Sequence, residues 1–199
     1  MVQNLKTKLN MFEVRWHARG GQGAVTASRF LSAAGVRENK QFQAFPEFGT
    51  ERMGAPIQAF TRISPDKIYL HSQVQTPDAV VVLDPSLLKA VDVTVGLKEG
   101  GSLIINSPDK PAEVRKQAKA EGKNFKVFTV DADTIARECV GRPITNTAMV
   151  GALVRATGLL QFDNVREELR AQFGTRFRQS IVDGNIRALE RAYQEVVSE

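Results

Sequence analysis

The stretch FEVRWHARGGQGAVTASRFL, residues 12–31, decides the expected fold. It joins an apolar run, Phe12–Trp16, to three glycines within four residues and then to a helix-forming run that starts at Ala24. A strand that ends in glycines before a helix leaves backbone N–H groups free at the helix start, where they can receive an anion or another chain's loop. The stretch therefore predicts a strand, a glycine loop and a helix, with the functional site at the loop.

The glycine loop, His17–Gly23, lacks two familiar phosphate-binding patterns. The dinucleotide fingerprint needs a glycine three residues after Gly23, where this chain has Thr26. The phosphate loop of nucleotide hydrolases needs a Lys followed by Ser or Thr, and the glycine loop contains no such pair. The sequence thus gives no direct evidence for a bound nucleotide.

The polar members of the loop that could carry binding chemistry are Arg19 and Gln22. A guanidinium holds a carboxylate or phosphate through two parallel hydrogen bonds, and a side-chain amide orients a carbonyl group. The same two side chains would also serve to brace neighbouring loops, and both roles stay open. Gly20, Gly21 and Gly23 are accordingly either turn residues between strand and helix or part of a binding loop.

The composition is typical of one cytoplasmic domain. With 199 residues, of which 42% are hydrophobic, the chain is long enough to bury one substantial core. No run approaches the roughly 20 apolar residues of a membrane span, and residues 1–10 lack the apolar segment of a signal peptide. We expect a single domain over residues 1–199, a cytoplasmic location and no membrane span.

Metal chemistry finds little support in the sequence. The single cysteine, Cys139, excludes an iron–sulfur cluster held by this chain alone, because such clusters take about four thiolates. His17, His71 and Cys139 are far apart in sequence, and no two of them have the spacing of metal ligands. We expect no metal ligand and no catalytic residue in this chain, and His17 to be a packed structural side chain.

Apolar runs alternate with helical patterns along most of the chain. The predicted strands are 12–16, 41–45, 57–63, 79–83, 103–106 and 126–130, and the helices among them are 24–34, 86–91, 112–121, 133–140 and 147–157. This alternation predicts parallel βαβ units with helices on both faces of a sheet. We expect a Rossmann-like α/β fold with a mixed, mostly parallel sheet and flanking helices, its core over about residues 12–157.

Local patterns add detail to this fold. Only four residues separate the strand 57–63 from Ile68–Leu70, which is too short for a crossover and predicts an antiparallel hairpin. Gly35 is expected to end the first helix. Asp84 follows an apolar strand, at the end where open α/β sheets place ligands and interfaces. Helices 163–173 and from Asp183 onward are expected to form a C-terminal helical part over about 159–197.

Positive charge concentrates late in a chain of net charge +5. The late arginines alternate with glutamates and are Arg166, Arg170, Arg176, Arg178, Arg187 and Arg191. Mixed charges on helices are typical of a solvated surface with ion pairs between successive turns, and the alternative is a docking face for an acidic partner subunit. No aromatic residues alternate with the arginines in a stacking platform, so we expect no nucleic acid partner.

Three segments together resemble one protein family. The glycine loop resembles the signature His-Gly-Arg-Gly-Gly-Gln-Gly of the gamma subunit, or domain III, of 2-oxoacid:ferredoxin oxidoreductases, which include pyruvate:ferredoxin oxidoreductase. Residues 46–56, PEFGTERMGAP, resemble the second signature of the pyruvate-type branch, and residues 143–152, PITNTAMVGA, resemble its third. Ala18 stands where the family has a glycine, which matters only if that position needs a positive φ or close backbone approach.

The resemblance implies a subunit of an enzyme that oxidatively decarboxylates a 2-oxoacid, most simply pyruvate, to an acyl-CoA. It implies that thiamine diphosphate with Mg and the [4Fe-4S] clusters lie on companion subunits of alpha, beta and delta type, with coenzyme A as cosubstrate. Ferredoxin, another iron–sulfur protein or NAD would accept the electrons. The isolated chain is then expected to hold none of these cofactors and to be inactive.

The candidate site follows from the loop and from the resemblance. The cofactor-binding candidates are Arg19, Gly20, Gly21, Gln22 and Gly23, and the candidates for a loop that meets a partner or the active site are Glu47, Glu51, Arg52, Thr145 and Asn146. Arg52 is expected either to pair with one of the two glutamates and hold the loop or, as we favour, to reach a carboxylate of a partner subunit. Thr145 and Asn146 are expected to cap the helix that follows them.

Other functions stay open at this point. A related complex could act on phenylglyoxylate or oxalate instead of pyruvate. A free-standing Rossmann-like nucleotide-binding protein would place Gly20–Gly23 on a pyrophosphate and Glu47 on a ribose, although the missing third glycine argues against it. An interaction protein without enzymatic turnover is a further alternative.

Overall fold

The computed structural model describes residues 11–47, 53–70 and 72–199. The strands in this part of the chain are β1 Phe12–Arg19, β2 Gln41–Pro46, β3 Pro56–Ser64, β4 Ala79–Val82, β5 Ser102–Asn106, β6 Lys126–Val130 and β7 Val197–Ser198. The helices are α1 Ala24–Val36, α2 Leu87–Ala90, α3 Pro111–Gln117, α4 Ala132–Val140, α5 Asn146–Thr157, α6 Phe162–Gly174 and α7 Gln179–Glu195.

The described strands form one sheet of seven strands in the order β2-β3-β1-β4-β5-β6-β7. The central strands β1, β4, β5 and β6 are parallel, and β2, β3 and β7 add antiparallel pairs at the two sides. The expectation of a mixed α/β sheet with flanking helices is therefore confirmed. Because β1 and β4 are parallel neighbours, the loops that follow them lie side by side at one edge of the sheet.

Each face of the sheet has its own apolar core. In β4, Ala79 and Val81 face one core while Val80 and Val82 face the other, as strand alternation requires. The larger core packs the sheet against α1 and the C-terminal helices, and the smaller core packs it against α2 and α3. A strand that is apolar on both sides is what a sheet covered on both faces needs.

A buried ion pair joins β1 to β3. Arg62 is 1% exposed, and its Nε donates to Glu13 Oε1 at 2.9 Å from the directly opposite position of the antiparallel pair. The remaining guanidinium nitrogens donate to Gln43 Oε1 and to the carbonyls of Leu70 and Ser72. A buried guanidinium needs all of these acceptors, so this pair fixes the register of β1, β2 and β3.

The predicted hairpin is wrong. Residues 68–70 form no strand, and β3 pairs instead with β1 on one side and β2 on the other. With both hydrogen-bonding edges of β3 taken, no edge remains for the segment that follows it. That segment contributes carbonyl groups to Arg62 rather than a strand to the sheet.

Three helix boundaries differ from the prediction by two residues or more, and one of them is the end of α3 at Gln117, four residues before the expected Glu121. Helix α1 continues through Gly35 to Val36, and the left-handed residue after it is Asn39, with φ 55°. Helix α7 begins at Gln179, one turn before the expected Asp183, whose carboxylate accepts a hydrogen bond from Gln179.

The C-terminal part is not entirely helical as expected, because it ends in the short strand β7 beside β6. The Glu199 carboxylate anchors this end by accepting from Arg115 Nε at 2.9 Å and from the Val127 backbone N–H at 3.1 Å. In the described ranges no helix has the length and apolar character needed to cross a membrane.

The late arginines divide into two groups. Arg166, Arg170 and Arg191 form ion pairs with nearby acids, as expected of a solvated helical surface. Arg176, Arg178 and Arg187 form no ion pair among the described residues. The surface interpretation with ion pairs therefore holds for the first group and not for the second.

Candidate functional site

The glycine loop lies where β1 ends and α1 begins. Gly21 has φ 96° and Gly23 has φ 83°, both in the left-handed region that favours glycine. Gly23 occupies the N-cap position of α1, and its carbonyl accepts from the Ala27 N–H at 2.9 Å. Within the described residues, the N–H groups of Gly21 and Gly23 donate no hydrogen bond. The loop thus presents backbone donors at a helix start.

Arg19 braces three segments at once. Its Nε and Nη2 donate to Ser86 Oγ at 3.1 and 2.8 Å, and its Nη1 donates to the Gly54 carbonyl at 3.0 Å. Its Nε also lies 3.3 Å from Asp84 Oδ2. The guanidinium therefore ties the end of β1 to the second signature segment and to the loop after β4.

Gln22 completes this arrangement from within the loop. Its Oε1 accepts from the Arg19 backbone N–H at 2.8 Å, and its Nε2 donates to Asp84 Oδ2 at 2.8 Å. Burial raises the pKa of the Asp84 carboxyl, but hydrogen bonds from Ser86 and Gln22 and the charge of Arg19 outweigh it and leave that pKa below its ordinary value. Asp84 is therefore a charged anchor and not a proton donor at neutral pH.

Asp84 and Ser86 are the members of the site that the sequence analysis did not include among its candidates. Asp84 stood out only by its place after an apolar strand. Gln22 is 62 residues from its partner Asp84 along the chain, and Arg19 is 67 residues from its partner Ser86. Sequence spacing alone carries no signal for contacts at that separation.

The second signature reaches the glycine loop through its backbone. The Gly20 N–H donates to the Ala55 carbonyl at 2.9 Å, and the Gly54 N–H donates to the Gly20 carbonyl at 3.2 Å. Glu47, at the end of β2, accepts instead from Gln73 Nε2 at 3.3 Å. Glu51 and Arg52, with the ion pair expected there, lie outside the described residues.

The third signature meets the glycine loop at Asn146. A Cβ atom on Gly23 would lie 2.6 Å from Asn146 Nδ2, a separation that real Cβ atoms do not show. Only glycine at position 23 lets the Asn146 side chain approach this closely. The structure therefore brings Gly23 and Asn146 together, as a direct contact between the first and third signatures.

The expected helix cap is only partly right. Thr145 occupies the N-cap position of α5, but its side chain makes no capping hydrogen bond. Its backbone is helical, at φ −83° and ψ −13°, whereas a capping side chain usually needs an extended backbone. Asn146 Oδ1 accepts from the Thr147 N–H at 2.9 Å instead.

The family difference at Ala18 has a simple structural setting. Ala18 is a fully buried residue inside β1, paired with Ile57 of β3. It is not among the residues with positive φ. An alanine therefore fits this position without backbone strain.

His17 is the first residue of the glycine loop as defined above, and in the structure it belongs to β1 and is packed into the sheet. It is 4% exposed, and its Nε2 accepts from Arg15 Nε at 3.0 Å. Burial, and next the positive charge of Arg15, lower the pKa of His17 from 6.5 to about 3. His17 is therefore neutral at physiological pH and serves as a buried acceptor.

Metal-binding geometry is absent from the described ranges, where no group of three or more His, Cys, Asp or Glu side chains could hold an ion. The site consists of one braced loop, backbone donors that have no hydrogen-bond partner in the described ranges, and the charged side chains of Arg19 and Asp84. This arrangement suits the positioning of a ligand or partner at the loop.

Comparisons with known proteins agree on one family. The family model described as pyruvate ferredoxin/flavodoxin oxidoreductase matches residues 13–195. The pyruvate/ketoisovalerate oxidoreductases common subunit gamma of Thermococcus kodakarensis is 48% identical over 187 residues, covering 94% of this chain and 98% of the relative. Pyruvate synthase subunit PorC of Thermotoga maritima is 45% identical over 185 residues, covering 93% and 94%.

Solved structures agree with this result. The crystal structure of pyruvate oxidoreductase subunit PORC from Thermotoga maritima superposes with a TM-score of 0.82 at 42% identity, covering 96% of this chain and 99% of that one. A 2-oxoglutarate:ferredoxin oxidoreductase from Magnetococcus marinus has a TM-score of 0.72 at 18% identity, covering 93% of this chain and 31% of that one. At that identity the second likeness concerns the fold alone.

We predict that Gly23→Ala costs more stability than Gly21→Ala. A Cβ at Gly21 meets nothing within 4 Å, so only its left-handed backbone is strained, at about 1 kcal/mol. At Gly23 the clash with Asn146 adds to that strain, for a total of about 2–4 kcal/mol. In an Asn146→Ala background, the loss in free energy of unfolding caused by Gly23→Ala should fall to that caused by Gly21→Ala. Urea unfolding measures both losses. Equal costs in both backgrounds would mean that the contact does not constrain the loop.

We also predict a pH dependence that arises from His17. Below pH 6.5 the unfolded chain binds a proton at His17, whereas the folded chain does not until about pH 3. The contribution of His17 to the free energy of unfolding is therefore fully present above pH 6.5. As the pH falls below 6.5, this contribution decreases by up to about 1.4 kcal/mol per pH unit. His17→Gln keeps an acceptor for Arg15 and should flatten the unfolding free energy between pH 6 and pH 4. An unchanged slope would contradict the assignment.

Proposed function

The chain belongs to the pyruvate ferredoxin/flavodoxin oxidoreductase family as a gamma-type member, and from this premise we propose its role in a thiamine diphosphate and iron–sulfur dependent complex. The complex oxidatively decarboxylates a 2-oxoacid of pyruvate type, passes the acyl group to coenzyme A and passes the electrons to ferredoxin or a similar acceptor. Companion subunits of alpha, beta and delta type assemble with this chain in the cytoplasm.

The observation that supports a positioning role is the convergence of the three signatures around the glycine loop. Arg19 and Gln22 hold the loop against Asp84, and Asn146 closes it from the side of α5. The free N–H groups of Gly21 and Gly23 are then suited to a phosphate, carbonyl or carboxylate oxygen of coenzyme A or of a partner loop. In this proposal Arg19, Gly20 and Gln22 shape the loop while Gly21 and Gly23 make the contacts.

Cofactor chemistry belongs to the companion subunits in this proposal. The chain has one cysteine, and its described residues contain no cluster of potential metal ligands, so its donors do not fit an iron–sulfur cluster or a thiamine-bound Mg ion. When bound to the companion subunits, thiamine diphosphate supplies the carbon nucleophile and the clusters carry electrons. This chain contributes the shape of the surface beside them.

The choice of 2-oxoacid is also assigned to the companion subunits. The relative from Thermococcus kodakarensis is named as a gamma subunit common to pyruvate and ketoisovalerate oxidoreductases. A subunit shared between two substrates is poorly placed to distinguish their side chains. The braced loop, which offers backbone donors, agrees with that division.

Reconstitution tests this proposal. The isolated chain should bind no stoichiometric iron and show no 2-oxoacid oxidation, and mixing it with the companion subunits of its host should restore coenzyme A-dependent reduction of ferredoxin. Arg19→Lys keeps the charge but loses the fork that reaches Ser86 and Gly54, so turnover of the reconstituted complex should fall by about ten-fold. The exposed Arg170→Lys is the matched control and should leave turnover unchanged. Full activity without this chain would refute the proposal.

A further inference from the structure

A groove of about 490 Å³ lies beside the glycine loop and takes no part in the proposed loop contacts. Its walls are the connection from α4 to α5, the turn from α6 to α7 and the first turns of α7. Thr26 of α1 and Asn146 of α5 also line it. Since Asn146 contacts Gly23, an occupant of the groove would lie next to the glycine loop.

The groove has an exposed apolar wall. Ile144, Phe177 and Ile181 are 43%, 47% and 40% exposed, which is unusual for large apolar side chains that lie together. The rings of Phe173 and Phe177 pack with centroids 5.2 Å apart and give this wall an aromatic surface. Clustered exposure of this kind marks a surface that another molecule covers.

The charge around this wall is positive. Arg142 and Arg176 line the groove, whereas no Asp or Glu of the described residues does. Neither arginine forms an ion pair with an acid in those ranges, in contrast to Arg166, Arg170 and Arg191 on the same helical part of the chain. An apolar wall with two unpaired guanidinium groups complements an apolar segment that carries carboxylates.

Asn146 offers a further polar contact. It is 8% exposed, and its Oδ1 is already used by the Thr147 N–H. Within the described residues its Nδ2 donates no hydrogen bond, although the side chain lines the groove. An oxygen of the occupant would satisfy this donor at the end of the groove closest to the glycine loop.

We infer that this groove is the docking site for an apolar segment bearing carboxylates on a companion subunit, an inference that rests on the function proposed above. The segment covers Ile144, Phe177 and Ile181, and its carboxylates pair with Arg142 and Arg176. Its backbone or an acidic side chain accepts from Asn146. Docking there places the companion subunit against the glycine loop.

Site-specific cross-linking in the reconstituted complex identifies the occupant. p-Benzoylphenylalanine at position 177 should cross-link to a companion-subunit peptide that contains apolar residues and at least one Asp or Glu. The same probe at the exposed position 69 should not capture that peptide. A cross-link to a second copy of this chain, or to a peptide without an acidic residue, would overturn the inference.

Affinity measurements test its energetics. Arg176→Glu and Ile181→Ser should each raise the Kd for the companion subunits by about ten-fold or more, because central apolar and arginine contacts dominate interfaces. Both side chains are exposed, so the melting temperature of the isolated chain should stay unchanged. The control is Lys116→Glu, which makes the same charge change as Arg176→Glu at an exposed position of α3. It should leave the Kd within two-fold of wild type.

The two proposals fail in different ways. The docking inference alone would be overturned if the wild-type complex assembles normally and the Arg176→Glu and Ile181→Ser variants bind the companion subunits with the wild-type Kd. A wild-type chain that forms no complex with the companion subunits would overturn the proposed function and the docking site with it.

Discussion

The carboxylate of Asp84 is the interaction on which the candidate site depends. It accepts from Gln22 Nε2 at 2.8 Å and faces Arg19 Nε at 3.3 Å, so the end of β4 holds both polar members of the glycine loop. Its own backbone segment is fixed in turn by the bond from the Ser86 N–H to Asp84 Oδ1 at 2.9 Å. Hydrogen bonds to a charged group are among the stronger ones in a protein, so the bonds to Asp84 hold the loop in its position.

The loop can then act without any catalytic group of its own. Its glycines lie between the backbone of the second signature on one side and Asn146 of the third signature on the other. Enzymes gain much of their rate from holding reacting groups in place, and in the proposed function the loop serves that purpose at a boundary between subunits. The three signatures are far apart in sequence, and in the proposed function they serve one site.

The sequence predicted the layered α/β fold because apolar strands and helical patterns alternate over most of the chain. It also predicted that Arg19 and Gln22 would either bind a ligand or brace loops; their side chains donate hydrogen bonds to neighbouring loops, and the binding role stays a prediction. The hairpin at residues 57–70 was wrong because local spacing does not reveal which edges of a strand are already paired. The contact between Gly23 and Asn146 was beyond prediction, since it depends on how α1 and α5 pack and not on any local pattern.

The central claim is that Asp84 holds the glycine loop, and amide hydrogen exchange in Asp84→Asn tests it most directly. The relevant N–H groups are those of Gly20, Gln22 and Gly54, which donate to Ala55, Arg19 and Gly20. Loss of the charge should speed their exchange by about ten-fold or more through local opening, while the amides of β5 and β6 keep wild-type rates. Unchanged exchange at all three amides would contradict the account.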